Sequence, residues 1–429
     1  STGTGIYRVF LKGESCESHS ERRFLELRSN LMLPSDYSLP PKFTAFRVGQ
    51  LQALDRLSKT DARWVIVQAP TGIGKTLLAA TTQRIMNSKM LYLVQTKQLQ
   101  DQIAQDFPYA QVLKGRSNYP CYQRQSQFPL INASLCTKNK EAHCRWCCTE
   151  EDSEEEKCTA FRECPYHMAK ARLLATKELG VVNMSMFLTE ANFVGGLSGW
   201  PWVVIDECDG IEGSLLNHIE FRVPKRLINL LHIPPPDRKT VESSWVKWAT
   251  EVVKPALEQR LEQAKSEWSV SNLKEEDELG ALLGKLEFFL QDVKENPWVY
   301  SPDAEYVLKP VFVAKHADKY IWKHGGRFLL MSATVIDHKQ LCRDLGIPIK
   351  EAEFIDLESE RDPKRKPVYY TPVTKMSHST KPFAWPLMVK GIDDALDRYP
   401  TQKVLLHTVS GSLASFITAN SKHKSRMVA

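Results

Sequence analysis

The stretch Gln68-Ala-Pro-Thr-Gly-Ile-Gly-Lys-Thr76 holds the groups that a polyphosphate requires. Gly72 and Gly74 let the backbone turn so that successive N–H groups converge on phosphate oxygens, and Lys75 can neutralise the β- and γ-phosphates. The Thr76 hydroxyl can hold Mg2+. Ala69 stands where the usual pattern has its first glycine, which the loop accepts if that residue keeps an ordinary φ. Asp206 and Glu207 follow the apolar run Trp202-Val-Val-Ile205. An acid at the carboxyl end of a parallel strand can hold Mg2+ through its water shell, and the acid beside it can orient or deprotonate an attacking water. Gln50, ahead of the loop, has an amide that both donates and accepts, as the adenine edge requires. Thr96 and Lys97 lie where a strand meets a helix and suit a nucleic-acid phosphate, although a threonine there also serves as a helix N-cap.

These groups need a parallel sheet to position them. The loop follows Trp64-Val-Ile-Val67 and leads into Leu77-Leu-Ala-Ala-Thr-Thr82, the order strand, turn, helix. Met90-Leu-Tyr-Leu-Val94 and Arg327-Phe-Leu-Leu-Met331 read as further buried strands. The second of these runs into Ser332-Ala-Thr334, whose hydroxyls can reach the acids at the same sheet edge. Leu51, Leu54 and Leu57 form one face of a helix that begins near Gln50. Residues 1–37 hold little beyond a short helical pattern at Glu21-Arg-Arg-Phe-Leu-Glu-Leu27.

Between residues 211 and 325 the pattern turns helical. Apolar residues recur at 245, 248, 252, 257, 261 and 264, with Pro255 expected to kink the run. Asn272-Leu-Lys-Glu275 reads as a capping box for a helix with Leu279, Leu282, Leu283, Leu286, Leu290 and Val293 on one stripe. Its tryptophans read as core rather than as platforms for bases. Beyond 360, Lys364-Arg-Lys-Pro-Val-Tyr-Tyr370 and the segment 403–417 suggest the first strands and helix of another α/β domain, too little to bury a sheet of its own.

With 429 residues the chain has room for two to four domains, and 25 % charged with 42 % apolar residues is ordinary for a soluble globular protein. No apolar run approaches the ~18 residues that span a bilayer, and the N-terminus lacks the basic-then-apolar order of a signal peptide, so a cytoplasmic location and no membrane are expected. The net charge of +6 permits a nucleic-acid partner without arguing for one. Cys121, Cys136, Cys144, Cys147, Cys148, Cys158 and Cys164 crowd one segment, while Cys16, Cys208 and Cys342 are scattered. Without a leader, a metal or cluster explains that segment better than a disulfide framework does. Cys144 and Cys147 also have the spacing of a zinc site.

The order of motifs resembles the XPD/DinG group of superfamily 2 iron-sulfur DNA helicases: Arg47 and Gln50, the loop 69–76, Gln95-Thr-Lys-Gln-Leu-Gln100, Gly115-Arg-Ser-Asn-Tyr-Pro-Cys121, Cys164-Pro-Tyr166, Asp206-Glu-Cys-Asp209 and Ser332-Ala-Thr334. The resemblance covers about residues 40–417. It implies an α/β fold with a RecA-like parallel-sheet motor domain (38–115, 171–210 and 326–360), behind an N-terminal segment (1–37). An iron-sulfur cluster domain (116–170) and a helical arch domain (211–325) would interrupt the motor, and 361–429 would start a second RecA-like domain. It also implies ATP-driven 5′ to 3′ movement on single-stranded or forked DNA. ATP would lie against Arg47, Gln50, Thr71, Gly72, Ile73, Gly74, Lys75 and Thr76, with Mg2+ on Thr76 and Asp206, water on Glu207 and DNA on Thr96 and Lys97. A [4Fe-4S] cluster would use four thiolates. Cys121 and Cys164 match the first and last ligands by their flanks. Cys147 and Cys158 are the choice for the middle pair, among Cys136, Cys144 and Cys148.

The sequence departs from that family in two places. Asp209 stands where the family usually has His, and the family's last motifs, with the arginine that reaches the γ-phosphate, are missing. Such an arginine is worth roughly 10^3 to 10^5 in rate, so the chain reads as a fragment or as one half of a split motor with a second polypeptide. The alternatives are a non-catalytic ATP- and DNA-binding half and a zinc-containing RNA-directed ATPase.

Overall fold

The computed structural model describes residues 33–121, 131–135, 163–194, 196–266, 269–302, 305–358, 370–377 and 381–428, with the isolated positions 126, 129 and 379. The helical pattern at 21–27, nearly all of 364–370, and Cys136, Cys144, Cys147, Cys148 and Cys158 lie outside the described residues. The chain divides into two units, Ser1–Glu360 and Arg361–Ala429.

The strands of the first unit are β1 (Trp64–Gln68), β2 (Met90–Val94), β3 (Gln111–Leu113), β4 (Leu179–Asn183), β5 (Trp200–Asp206), β6 (Phe221–Val223), β7 (Trp298–Pro302), β8 (Tyr306–Pro310), β9 (Gly325–Ser332) and β10 (Ala352–Asp356). Seven of them form one parallel sheet in the order β10-β1-β9-β5-β2-β4-β3. Its central strands are apolar throughout because both faces are covered. Alternation along each strand divides the side chains between two cores. Val65, Val67, Tyr92, Val94 and Val204 face α1 (Val48–Lys59), α2 (Lys75–Met86) and α3 (Lys97–Asp106), which supply Leu54, Leu57, Leu77, Leu78 and Ile103. Ile66, Leu91, Leu93, Val203 and Ile205 face α4 (Pro165–Ala175), α5 (Met184–Thr189) and α6 (Ile211–Ile219). The parallel sheet expected from the sequence is present. No helix among the described residues is long and apolar enough to cross a membrane.

The second insertion has a core of its own. It holds α7 (Lys225–Leu230), α8 (Glu242–Trp248), α9 (Lys254–Ser266) and α10 (Val270–Asp292), packed through Trp245, Trp248, Leu257, Leu279, Leu286 and Phe289. Trp245 and Trp248 are buried as expected, and their indole N–H groups donate to the carbonyls of Lys239 and Pro234. A π-helical turn, Ala249–Val253, joins α8 to α9 just ahead of Pro255. Proline removes a hydrogen bond and crowds the preceding turn, and the wider π turn absorbs both effects.

Two expectations need correction here. The cap of α10 is Ser269, in extended backbone, whose hydroxyl accepts the Asn272 N–H at 3.0 Å. Glu275 is no capping-box partner; it accepts a two-pronged bond from Arg260 at 3.0 and 2.7 Å. The insertion also contains a three-stranded antiparallel sheet, β6-β8-β7, beside its helices. The chain returns to the core of the parallel sheet at α11 (Ala314–Tyr320) through Ala317 and Tyr320, and α12 (His338–Asp344) adds Cys342.

In the second unit α13 (Lys381–Asp397) and α14 (Gly411–Asn420) pack through Val389, Leu413 and Ile417. The strand expected near 403–407 does not form. Leu405 is 87 % and Val409 92 % exposed, and the segment has no ladder partner among the described residues. A lone strand without a sheet gains too little to hold its shape.

The core of the parallel sheet buries an uncharged histidine where the sheet resumes. His324 accepts from the Ser198 hydroxyl at Nδ1 (2.6 Å) and donates from Nε2 to Asn192 Oδ1 (2.9 Å). Burial, with Lys323 adjacent, lowers its pKa to about 4, and burial lowers that of His218 to about 4 as well. The unfolded chain therefore takes up protons near pH 6.5 that the folded chain refuses. Stability falls as pH drops from about 6.5 towards 4, by at most about 1.4 kcal/mol per pH unit for each ring. Melting temperatures measured from pH 7 to 5 are expected to fall with pH, and His324→Gln is expected to give the shallower slope.

Candidate functional site

The strand order fixes which groups meet at the carboxyl edge of the sheet. β1, which ends in the glycine loop, and β5, which ends in Asp206, flank β9, which ends in Ser332. The first loop residue is tied to that centre, since the Ala69 N–H donates to the Ser332 carbonyl at 2.8 Å. Gly72 (φ 78°) and Gly74 (φ 91°) take the left-handed region that the loop demands, while Ala69 does not. Ala69 is therefore accepted on the terms expected. Gly74 has a second reason to lack a side chain, because a Cβ there would lie 2.6 Å from Gln50 Nε2.

Gln50 and Arg47 hold the loop from the start of α1. The Gln50 amide accepts from the Arg47 N–H at 2.9 Å and donates to the Gly74 carbonyl at 3.1 Å, with only 2 % of the residue exposed. The Arg47 guanidinium donates to the Gly72 carbonyl. The amide expected to read adenine is thus already engaged with the loop.

The acids and the loop lysine form one electrostatic unit. Lys75 Nζ lies 2.5 Å from Glu207 Oε1 and 3.4 Å from Asp206 Oδ1. Burial alone would lower the lysine's pKa, but the Glu207 hydrogen bond and the Asp206 charge outweigh it and the pKa is raised. Burial raises the pKa of Asp206, with Lys75 opposing. Tyr92, fully buried on β2, donates to Asp206 Oδ2 at 3.1 Å, and burial raises its pKa so far that the phenol stays a donor. Ser332 Oγ lies 2.6 Å from Asp209 Oδ1 and 3.3 Å from Glu207 Oε2, and the Thr334 hydroxyl donates to Asp209 Oδ2 at 2.9 Å. The hydroxyls therefore reach the acids as the sequence suggested. Asp209, at the position where His was expected, is their acceptor.

Glu207 sits in left-handed backbone (φ 50°), a conformation that is strained for a side chain of its size. Its own N–H donates to Asp206 Oδ1 at 3.0 Å, and the Gly210 N–H closes the turn on the Glu207 carbonyl at 2.9 Å. Such a site can bind a divalent cation and a polyphosphate, and can direct a water at the terminal phosphorus.

The remaining expected residues lie further along the same edge. Thr96 is the N-cap of α3, its hydroxyl accepting from the Leu99 N–H at 3.3 Å, and Lys97 reaches Asn118 Oδ1 at 3.0 Å. Cys121 and Cys164 are each 2 % exposed, at the two ends of the cysteine segment. Cys121 packs with Ile131 and with Leu273 of α10, and Cys164 is the N-cap residue of α4. Cys147 and Cys158 lie outside the described residues. Sequence reasoning missed Tyr92, which reads as one more strand residue. It also missed Glu190, whose buried carboxylate collects Tyr166 (2.6 Å), Lys170 (2.7 Å) and Arg116 (3.2 Å) at the base of the cysteine segment. Only the basic residues Arg116 and Lys170 flanking the cysteine segment could have hinted at it.

A family model described as "Type III restriction enzyme, res subunit" matches residues 44–159, which include the glycine loop. No curated protein matches the sequence. Among solved structures, an XPD helicase aligns over 88 % of this chain and 75 % of its own, at 15 % identity and a TM-score of 0.52. Xpd4 of S. tokodaii aligns over 89 % of this chain and 77 % of its own at 11 % identity and 0.47, and a truncated XPD over 72 % and 99 % at 14 % and 0.43. Taken with the seven-stranded parallel sheet, the first of these alignments shows an XPD-like fold for this chain.

Proposed function

We propose that the chain is an ATP-driven helicase or translocase on single-stranded DNA, moving 5′ to 3′. The observation that carries this reading is Lys75 bound by both Asp206 and Glu207 at the end of the glycine loop. The two carboxylates are held by a cation of the chain itself, at the edge where a triphosphate and Mg2+ would bring charges of their own. Mg2+, on Thr76 and Asp206, would neutralise the phosphate oxygens. Lys75 would turn to the phosphates, Glu207 would orient or deprotonate the attacking water, and Gly72 to Gly74 would cradle the phosphate through their N–H groups. Thr96 and Lys97 would grip the DNA backbone on the same side of the sheet.

ATP hydrolysis with and without a thymidine oligonucleotide, or the matching RNA, tests this. The wild type is expected to be stimulated by DNA. Glu207→Gln should lower turnover by about 10^2 to 10^4 with nucleotide still bound, as for loss of a general base. Lys75→Ala should lose nucleotide affinity. Stimulation by RNA alone would overturn the DNA reading.

In the same reading 116–170 is an iron-sulfur cluster domain, with Cys121, Cys147, Cys158 and Cys164 holding a [4Fe-4S] cluster that would supply a rigid crosslink. The buried Cys121 and Cys164 suit it, standing at the two ends of the segment with Cys164 at the N-terminus of α4. Cys208 does not suit it, since burial and Asp209 raise its thiol pKa. Anaerobically purified protein is expected to hold about four irons per chain, to be lost in Cys164→Ser; a single zinc would refute the cluster.

The DNA path would continue into a cavity of about 1150 Å³ between α5, α6 and α11 of the motor and α10 of the arch. Gly280 and Gly284 line it from mid-helix, where each is roughly 1 kcal/mol less favourable than alanine. A Cβ at either would meet nothing within 4 Å. Packing does not require these glycines, whereas a strand passing close to the helix would. Gly284→Ala should keep or raise the melting temperature, and Gly280→Phe with Gly284→Phe should weaken oligonucleotide binding without lowering it. Unaltered binding in the double variant would place the path elsewhere.

A further inference from the structure

One side chain spans the distance between that cavity and the acidic turn. Gln95 leaves the end of β2 next to Thr96 and lines the cavity. Its Oε1 accepts from the Ser214 hydroxyl of α6 at 3.3 Å. Its Nε2 is buried and has no hydrogen-bond partner among the described residues. That nitrogen lies 3.4 Å from where a Cβ of Gly210 would be, so glycine at 210 is what lets the amide lie against the turn. Gly210 in turn closes the strained Glu207 backbone through its N–H and directly follows Asp209.

A buried donor without an acceptor is unfavourable, and it becomes favourable once an acceptor arrives. The cavity is where one could arrive, and its lining sets Lys285, Lys319 and Lys323 against Glu276 and Asp277, a small positive excess that favours an anionic strand. Resting on the reading above, we infer that Gln95 is the positioning residue that transmits DNA occupancy to hydrolysis. Its amide N–H donates to a phosphate or base oxygen of the strand in the cavity. The movement needed to make that bond shifts the contact with Gly210, and with it the turn that aims Glu207. DNA and nucleotide are then coupled through one amide, and the coupling is reciprocal.

Binding alone tests this, without hydrolysis. Affinity for a labelled thymidine oligonucleotide of about 20 nucleotides is measured with and without a slowly hydrolysed ATP analogue, and affinity for the analogue with and without DNA. The wild type is expected to show one coupling factor in both directions, about 5- to 150-fold. Gln95→Met, which removes an unpaired buried donor, should keep the melting temperature and bring the factor to about one. Gln95→Glu keeps an acceptor for Ser214 but not the donor, and should lose the coupling too. Wild-type coupling in either variant overturns the inference: in both it removes Gln95 from the route, and in Gln95→Glu alone it assigns the effect to Ser214. A wild type that binds nucleotide but no oligonucleotide instead refutes the DNA reading, and the inference with it.

Discussion

Charge compensation at the edge of a sheet is the constraint on which the rest of this structure depends. The central strands are buried on both faces, so charged groups can stand only at their ends. Asp206, Glu207 and Asp209 all emerge from one strand end, and Asp206 is buried there, where a carboxylate without partners costs several kcal/mol. Lys75 answers two of them, Tyr92 donates to the most buried, and Ser332 with Thr334 satisfies the third. The sheet order is what makes this possible. Only with β9 between β1 and β5 do the loop, the hydroxyls and the acids fall within hydrogen-bond distance of one another.

The legibility of that site in the sequence follows from how local its parts are. A glycine loop, an apolar run ending in acids and a Ser-Ala-Thr after a strand are each contained within a few residues, and all three lie where the sequence placed them. Tyr92 acts through a contact with a residue 114 positions away and was read as strand core for lack of any local sign. Glu190 is the same case, with partners on both sides of the cysteine segment. Ser269 shows the opposite error: the Asn272-to-Glu275 pattern satisfied the spacing of a capping box, yet a serine one turn earlier in extended backbone takes the cap, and Glu275 is claimed by Arg260 from another helix. The segment 403–409 has strand composition and no neighbour to pair with, so composition alone misleads there.

The two insertions leave the seven-stranded sheet on the side where the glycine loop and the acids lie. The cysteine segment begins after β3 and the second insertion after β5 and α6, both beyond carboxyl ends of parallel strands. They meet where Cys121 packs with Leu273 of α10. The Glu190 network anchors the first of them, with Arg116 before the segment and Tyr166 and Lys170 after it bound to one carboxylate of the motor. Burial would raise the pKa of Glu190, but Lys170 and Tyr166 more than reverse this and it is lowered, so the carboxylate stays charged. A segment whose two ends grip one buried charge cannot shift without moving the helical turn at 190–194 as well.

Strain at Glu207 completes the picture. Left-handed backbone at a glutamate costs on the order of 1–3 kcal/mol and persists only where the surroundings over-determine it. Here they do so with the Asp206 carboxylate on its N–H, the Gly210 N–H on its carbonyl and Lys75 on its side chain. Of these three bonds, only the one to Lys75 involves a group that a bound polyphosphate would draw away. In the proposed reading, filling the glycine loop would loosen one of these three restraints on a strained residue, and with it the hold on its turn. Of the Glu207 side-chain contacts, the one from the Ser332 hydroxyl at 3.3 Å would then remain to aim the carboxylate, and the turn that carries it would still rest on Gly210 and, through Gly210, on Gln95.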